Sequence, residues 1–149
     1  MRLYRFSPTE FASDLGGTGG LYSAGRWNQK GTRLLYTSDS VSLAKLELLA
    51  NATVLPDRVF LVTMDVPAQA SRSSVDAQDL PDNWQVIPYL PQLALQAEKW
   101  LKDMNYWLLC VPSVHSPTEF NYLLNPLHPE HATLKLVSIE PHPFDPRLK

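Results

Sequence analysis

The run Thr32-Arg33-Leu34-Leu35-Tyr36-Thr37-Ser38-Asp39-Ser40-Val41-Ser42-Leu43-Ala44-Lys45-Leu46-Glu47-Leu48-Leu49-Ala50-Asn51-Ala52 joins two different patterns. Its first part, Thr32 to Ser38, reads as a strand that ends in turn formers. Ser38, Asp39 and Ser40 are each able to cap a helix, because a short oxygen-bearing side chain accepts from free backbone N–H groups. Val41 to Ala52 consists of strong helix formers and predicts a helix. Within twenty-one residues the chain therefore passes from strand to capped helix.

Working outward, Leu3 to Phe6 reads as a short opening strand and Ser13 to Gly25, rich in Gly and Ser, as a loop. Downstream, Arg58 to Val66 is a buried strand closed by Pro67, and Ala70 to Leu90 an irregular excursion with a turn at Leu80 to Trp84. Pro91 opens a second helix, Gln92 to Asp103, with Leu93, Ala97, Trp100 and Leu101 on one side. Trp107 to Val111, Asn121 to Leu124 and Leu134 to Ile139 read as further strands. The thirteen prolines cluster at Pro81 to Pro91 and from Pro112 onward, so the second half favours strands and ordered loops. A few helices among about six short strands, without regular alternation, predict one α+β domain over residues 1–149 with a mixed sheet.

The composition fits that reading. Of 149 residues, 44 % are hydrophobic and 19 % charged, which is enough for a core without disulfides or structural metal. The net charge of −2, with both signs interspersed, gives no basic face for nucleic acid. The single cysteine, Cys110, lies in an apolar run and reads as an inert core thiol. The start of the chain lacks a signal peptide, and no apolar run is long enough to span a bilayer. A soluble, cytoplasmic protein is expected.

Glu47 is the residue that helix geometry singles out. It lies about 200° around the helix from Lys45, which should mark the solvent side. An inward carboxylate is costly unless it is paired or lines a cleft. A helix buried on two sides, with Glu47 meeting an arginine, explains the pattern equally well. Arg26-Trp27-Asn28-Gln29-Lys30-Gly31 could clamp a phosphate through the planar guanidinium, although on its own it reads better as a surface turn with Trp27 beneath. Gly16 to Gly20 lacks the ending of a phosphate-binding loop and reads as flexible. There is no Gly-x-Ser-x-Gly elbow. The four histidines, His115, His128, His131 and His142, have no metal-ligand spacing, so no metal is expected. His128 and His131 read as solvated loop residues.

Taken in order, these segments resemble the RES domain. Gly20 to Gly31 is similar to its Gly-Arg-Trp-Asn signature. Leu35-Tyr36-Thr37-Ser38 resembles its tyrosine strand, and Leu43-Ala44-Lys45-Leu46-Glu47 its glutamate helix. Val111-Pro112-Ser113 is similar to its serine segment, and Asn121 to Pro126 with His128-Pro129 to its closing motif. The resemblance implies an ADP-ribosyltransferase-like fold and the toxin of a bacterial type II toxin–antitoxin pair.

It further implies cleavage of the nicotinamide–ribose bond of NAD⁺, which is the substrate. Arg26, Tyr36, Glu47 and Ser113 are carried over as catalytic residues; Trp27, Asn28 and Asn125 join them in binding NAD⁺. Glu47 would hold the ribose hydroxyls and face the developing positive charge, and Arg26 would bind phosphate. Tyr36 would stack on nicotinamide or ribose, and Ser113 would hydrogen-bond the nicotinamide end. The implied partner is an Xre-like antitoxin, with room for a homodimer inside that complex and with no direct nucleic-acid contact. Protein ADP-ribosylation and an inactive binding module are the alternative functions.

Overall fold

A computed structural model describes all residues, Met1–Lys149. Seven strands form one sheet: β1 (Arg2–Ser7), β2 (Leu35–Ser38), β3 (Phe60–Asp65), β4 (Arg72–Ser74), β5 (Leu108–Pro112), β6 (Phe120–Leu124) and β7 (Lys135–Pro141). Their order is β4-β5-β6-β2-β1-β3-β7. Every neighbouring pair is antiparallel except β4 and β5, which makes the sheet mixed. Two α-helices, α1 (Val41–Asn51) and α2 (Pro91–Asp103), complete the expected α+β domain, with short 3₁₀ turns between elements. Neither helix is long and apolar enough to cross a membrane.

Alternation along the strands sorts the core into layers. Leu109 and Val111 of β5 and Leu123 of β6 point to the face covered by α2, through Leu93, Ala97, Trp100 and Leu101. Leu108, Leu124, Leu35, Leu3, Val62 and Met64 point to the opposite face, where they gather with Trp107 and Ala12. α1 lies on the same face as α2 but at the other end, where Ala44 packs with Phe6, Val59 and Phe144. The two helices thus cover different ends of one face, and a trough opens beside α1, between it and the loops at Arg26 and Tyr89.

That trough lies where the sheet is weakest. β1 and β3 share six register pairs, Arg2↔Asp65 to Ser7↔Phe60, and β2 and β6 share four. β1 and β2 share one, Tyr4↔Ser38. The strands part beyond it, so the sheet centre opens between its two halves.

Several expectations are corrected. The strand expected over Thr32 to Ser38 begins only at Leu35, whose register partner Leu124 is the last residue of β6. The excursion from Ala70 hides β4, a three-residue parallel strand beside β5. Lys45 does not mark an open solvent face; its ammonium lies 5.2 Å from the Phe144 ring centroid, while Leu46 is exposed. Cys110 is half-buried rather than core, although burial pushes its thiol pKa up. His128 and His131 are not solvated. His128 is buried and caps a 3₁₀ turn by accepting from Glu130 N–H. His131 Nδ1 accepts from Trp107 Nε1 at 3.0 Å, and its Nε2 bonds to Leu15 O at 2.7 Å.

Candidate active site

The trough is a cleft of about 560 Å³, within the size range of small-molecule sites. Its walls come from β1, the loop carrying Arg26, β2, α1, the loop around Tyr89, and the end of β5. Register explains which side chains arrive there. Ser38 pairs with Asn121 and Asn121 with Val111, so these residues share one face, and Ser113, two residues beyond Val111, follows on the same side. Tyr36 and Tyr4 belong to this face as well.

Ser40 starts α1, its hydroxyl accepting from Leu43 N–H at 3.1 Å. Two turns later Glu47 projects into the cleft with its side chain 30 % exposed, so a ligand can reach the carboxylate. Oε1 accepts from Asn121 Nδ2 at 2.6 Å and from Ser113 Oγ at 3.2 Å. Oε2 lies 3.5 Å from His115 Nε2. Ser113 Oγ in turn accepts from His115 N–H at 3.1 Å.

The opposite wall is the loop at Arg26. Gly25 N–H bonds Asn28 O at 3.0 Å, which closes a tight loop with Arg26 and Trp27 at its tip. Arg26 Nη1 donates to Trp84 O at 2.8 Å and to Val86 O at 3.3 Å, and its guanidinium lies 4.7 Å from the Tyr89 ring centroid. Its Nε and Nη2 make no protein hydrogen bond. Burial lowers the Arg26 pKa, while Tyr89, Glu47 and Tyr36 pull it back up, and a guanidinium so placed stays cationic.

Tyr36 connects this loop to the sheet. Its hydroxyl donates to Asn28 Oδ1 at 2.6 Å and accepts from Trp27 N–H at 3.1 Å. Asn28 Nδ2 donates to Ser23 O and Gln29 O, which fixes the sense of that amide. Burial of the phenol end holds the Tyr36 pKa well above the ordinary phenol range, so the hydroxyl keeps its proton. The residue as a whole remains 36 % exposed, which leaves its ring available to the cleft.

Residues 2–145 match the RES domain. The chain belongs to the RES domain family. A RES-family relative, the Prs ADP-ribosylating toxin of Sphingobium sp. (strain YBL2), is 34 % identical over 141 residues, covering 92 % of this chain and 88 % of the relative. Toxin Res of Yersinia enterocolitica is 36 % identical over 156 residues and covers 100 % of both. The RES domain here also shares its fold with the solved M. tuberculosis MbcT–MbcA toxin–antitoxin complex. The TM-score is 0.76 at 17 % identity, over 99 % of this chain and 85 % of that one.

In this RES domain Arg26, Tyr36 and Glu47 meet around one cleft. Trp27 touches the cleft but is 4 % exposed and belongs to the α2 core, and Asn28 lies behind Tyr36. Ser113 is 1 % exposed with its hydroxyl turned to Glu47, so it stands behind the carboxylate. Asn125 is not brought to the cleft: its Nδ2 donates to Leu101 O at 3.1 Å and its Oδ1 accepts from Leu127 N–H at 3.0 Å, tying the end of α2 to β6.

Sequence reading missed four residues as contributors to the site. Asn121 and His115 reach Glu47, and Tyr89 faces Arg26. Arg5 reaches the cleft from β1, its Nη2 donating to Phe11 O at 2.6 Å and Asp14 O at 2.5 Å. A strand arginine carries no helical or spacing signal, and neither does a loop histidine between serines. A smaller hollow of about 350 Å³ adjoins the cleft beyond Tyr36 and Arg5, but neither Glu47 nor Arg26 lines it.

Proposed function

We propose that this chain is the toxin of a type II toxin–antitoxin pair and that its cleft breaks the nicotinamide–ribose bond of NAD⁺. The observation that carries the reading is the Glu47 carboxylate, held from behind by Asn121 and Ser113 and presented to a cleft that also contains Arg26. Loss of nicotinamide leaves positive charge on the ribose C1′ and its ring oxygen. A fixed carboxylate stabilises such an oxocarbenium-like transition state, as in glycoside hydrolysis. The bond from nicotinamide N1 to C1′ breaks with its electron pair going to nicotinamide. Water or phosphate then bonds to C1′ and releases a proton.

In this mechanism Glu47 accepts hydrogen bonds from the ribose hydroxyls and faces the developing cation. The free Nε and Nη2 of Arg26 donate to the pyrophosphate, and the exposed ring of Tyr36 packs against nicotinamide or ribose. Ser113 acts through Glu47. Depletion of NAD⁺ in the bacterial cytoplasm would arrest growth, and an Xre-like antitoxin covering the cleft would prevent it. The toxin–antitoxin complex with the same fold supports such a partner.

The test is NAD⁺ consumption by the purified protein, with and without phosphate, beside Glu47→Gln. That substitution keeps size and hydrogen bonding but removes charge, and should lower the rate by about 10²-fold or more. A folded variant working at the parent rate would remove the electrostatic role of Glu47. Dependence on phosphate would distinguish phosphorolysis from hydrolysis. Transfer of ADP-ribose to a protein is the second reading, favoured by the name of the Sphingobium relative. A protein mass increase in place of free ADP-ribose or its phosphorylated form would establish it.

A further inference from the structure

The two oxygens of Glu47 are treated differently by the protein. Oε1 accepts two hydrogen bonds, from Asn121 and Ser113, while Oε2 faces only His115 at 3.5 Å. Two donors fill the lone-pair directions of Oε1, and Oε2 keeps its own for a ligand.

The orientation of the Asn121 amide is also determined. Its Oδ1 accepts from Ser38 Oγ at 2.6 Å, and its Nδ2 donates to Glu47 Oε1 at 2.6 Å. An ionised carboxylate only accepts, so turning the amide over would press two acceptors together at that distance. Ser38 is 3 % exposed and is the register partner of Asn121 across β2 and β6. The carboxylate thus fixes which way the amide faces, the buried Ser38 hydroxyl anchors the amide oxygen in the sheet, and the anchored amide holds a carboxylate carried by a different element, α1. The contact to the carboxylate is charge-assisted, the stronger class of hydrogen bond.

We propose that Asn121, anchored by Ser38, is a positioning residue that locks Glu47 so that Oε2 is the oxygen offered to the substrate. Its catalytic consequence rests on the NAD⁺ reading above; the hold on Glu47 does not. A vicinal diol entering the cleft donates its hydroxyl protons to Oε2, and the same oxygen faces the cationic carbon when nicotinamide leaves. Asn121 touches neither. Its effect is felt in the transition state, where carboxylate placement matters most.

The variant Asn121→Asp keeps the size of the side chain, removes the donor and sets a second carboxylate against Oε1. For NAD⁺ consumption, kcat should fall about 10²-fold, with KM moving less than about threefold. Ser38→Ala removes the hydrogen bond that anchors the amide oxygen, loosening the hold on Glu47, and should lower kcat about threefold, between the parent and Asn121→Asp. Circular dichroism checks that each variant is folded. A readout independent of turnover is the Asn121 side-chain amide in nuclear magnetic resonance. One of its protons should lie downfield and exchange slowly in the parent, and lose both properties in Glu47→Ala.

Parent kinetics in folded Asn121→Asp, or an amide indifferent to Glu47→Ala, would overturn the inference. If the parent consumed no NAD⁺, the amide signal would still decide whether Asn121 holds Glu47, and the proposed reaction alone would be lost.

Discussion

Gly25 has no room for a methyl group. A Cβ built there would lie 2.7 Å from the Tyr36 hydroxyl and 2.8 Å from Asn28 Oδ1, the two atoms whose 2.6 Å hydrogen bond fixes the tyrosine. Its φ is not among the positive ones, which belong to Gly17, Gly31 and Met104, so the requirement is for space and not for a left-handed backbone. Gly25→Ala must push Tyr36 or Asn28 aside. Overpacking of this kind costs about 1–3 kcal/mol, which urea denaturation would measure. The same displacement moves Tyr36 within the cleft, so NAD⁺ consumption at 25 °C should fall although the protein remains folded. Unchanged stability together with unchanged turnover would show that the loop relaxes without Tyr36 and that the ring is not held as described. Glycine appeared in the sequence only as part of a signature; its reason is the Tyr36 hydroxyl, which no local pattern encodes.

At the scale of elements, α1 matters most because it carries Glu47. Ser40 caps it through Leu43 N–H, and the same hydroxyl lies 3.2 Å from Glu119 Oε2. Ser40→Ala should therefore destabilise the protein by about 1 kcal/mol, seen as a lower thermal midpoint; an unchanged midpoint would mean that another group replaces the cap. This helix was legible because capping and propensity are local. Its orientation was legible only in part. Contacts occupy more than one side of α1, with Leu43 and Ala44 buried, Lys45 over Phe144 and Leu46 in the open, so one charged residue could not mark solvent. Glu47 stood out because an ionisable group among apolar neighbours needs a reason. Its partner Asn121 did not, since an asparagine in a strand becomes informative only when the register to Ser38 and Val111 is known. β4 was hidden for a related reason: Arg72-Ser73-Ser74 is polar and three residues long, and it is a strand only because β5 lies alongside.

Across the whole molecule, the cleft exists because the sheet parts beyond Tyr4↔Ser38, and the parted halves have to be tied together elsewhere. One tie lies on the face away from the helices. His131, in the 3₁₀ turn before β7, accepts from the indole of Trp107 at the start of β5 and donates to Leu15 O in the N-terminal loop. Its ring stands edge-on to Trp107, with centroids 5.8 Å apart. This arrangement needs a neutral imidazole, with Nδ1 as the acceptor. Burial lowers the His131 pKa from its ordinary 6.5, outweighing the opposing effect of Leu15 O. The unfolded chain therefore binds the proton more readily than the folded one. The contribution of this histidine to stability is complete above the unfolded value and is lost as pH falls through it. His142, also lowered by burial and then by Lys45, acts in the same direction. Glu130 is depressed chiefly by its hydrogen bonds from Ser71, and adds a further loss only below its ordinary 4.5. The urea midpoint should therefore decrease between pH 7.5 and 5.5, before carboxylates contribute. His131→Gln can keep one acceptor and one donor but cannot titrate. It should be less stable than the parent at pH 7.5 and lose less of its stability on acidification, retaining the share due to His142. Equal losses in parent and variant would place the pH dependence elsewhere and leave the Trp107–His131–Leu15 tie without a role in it.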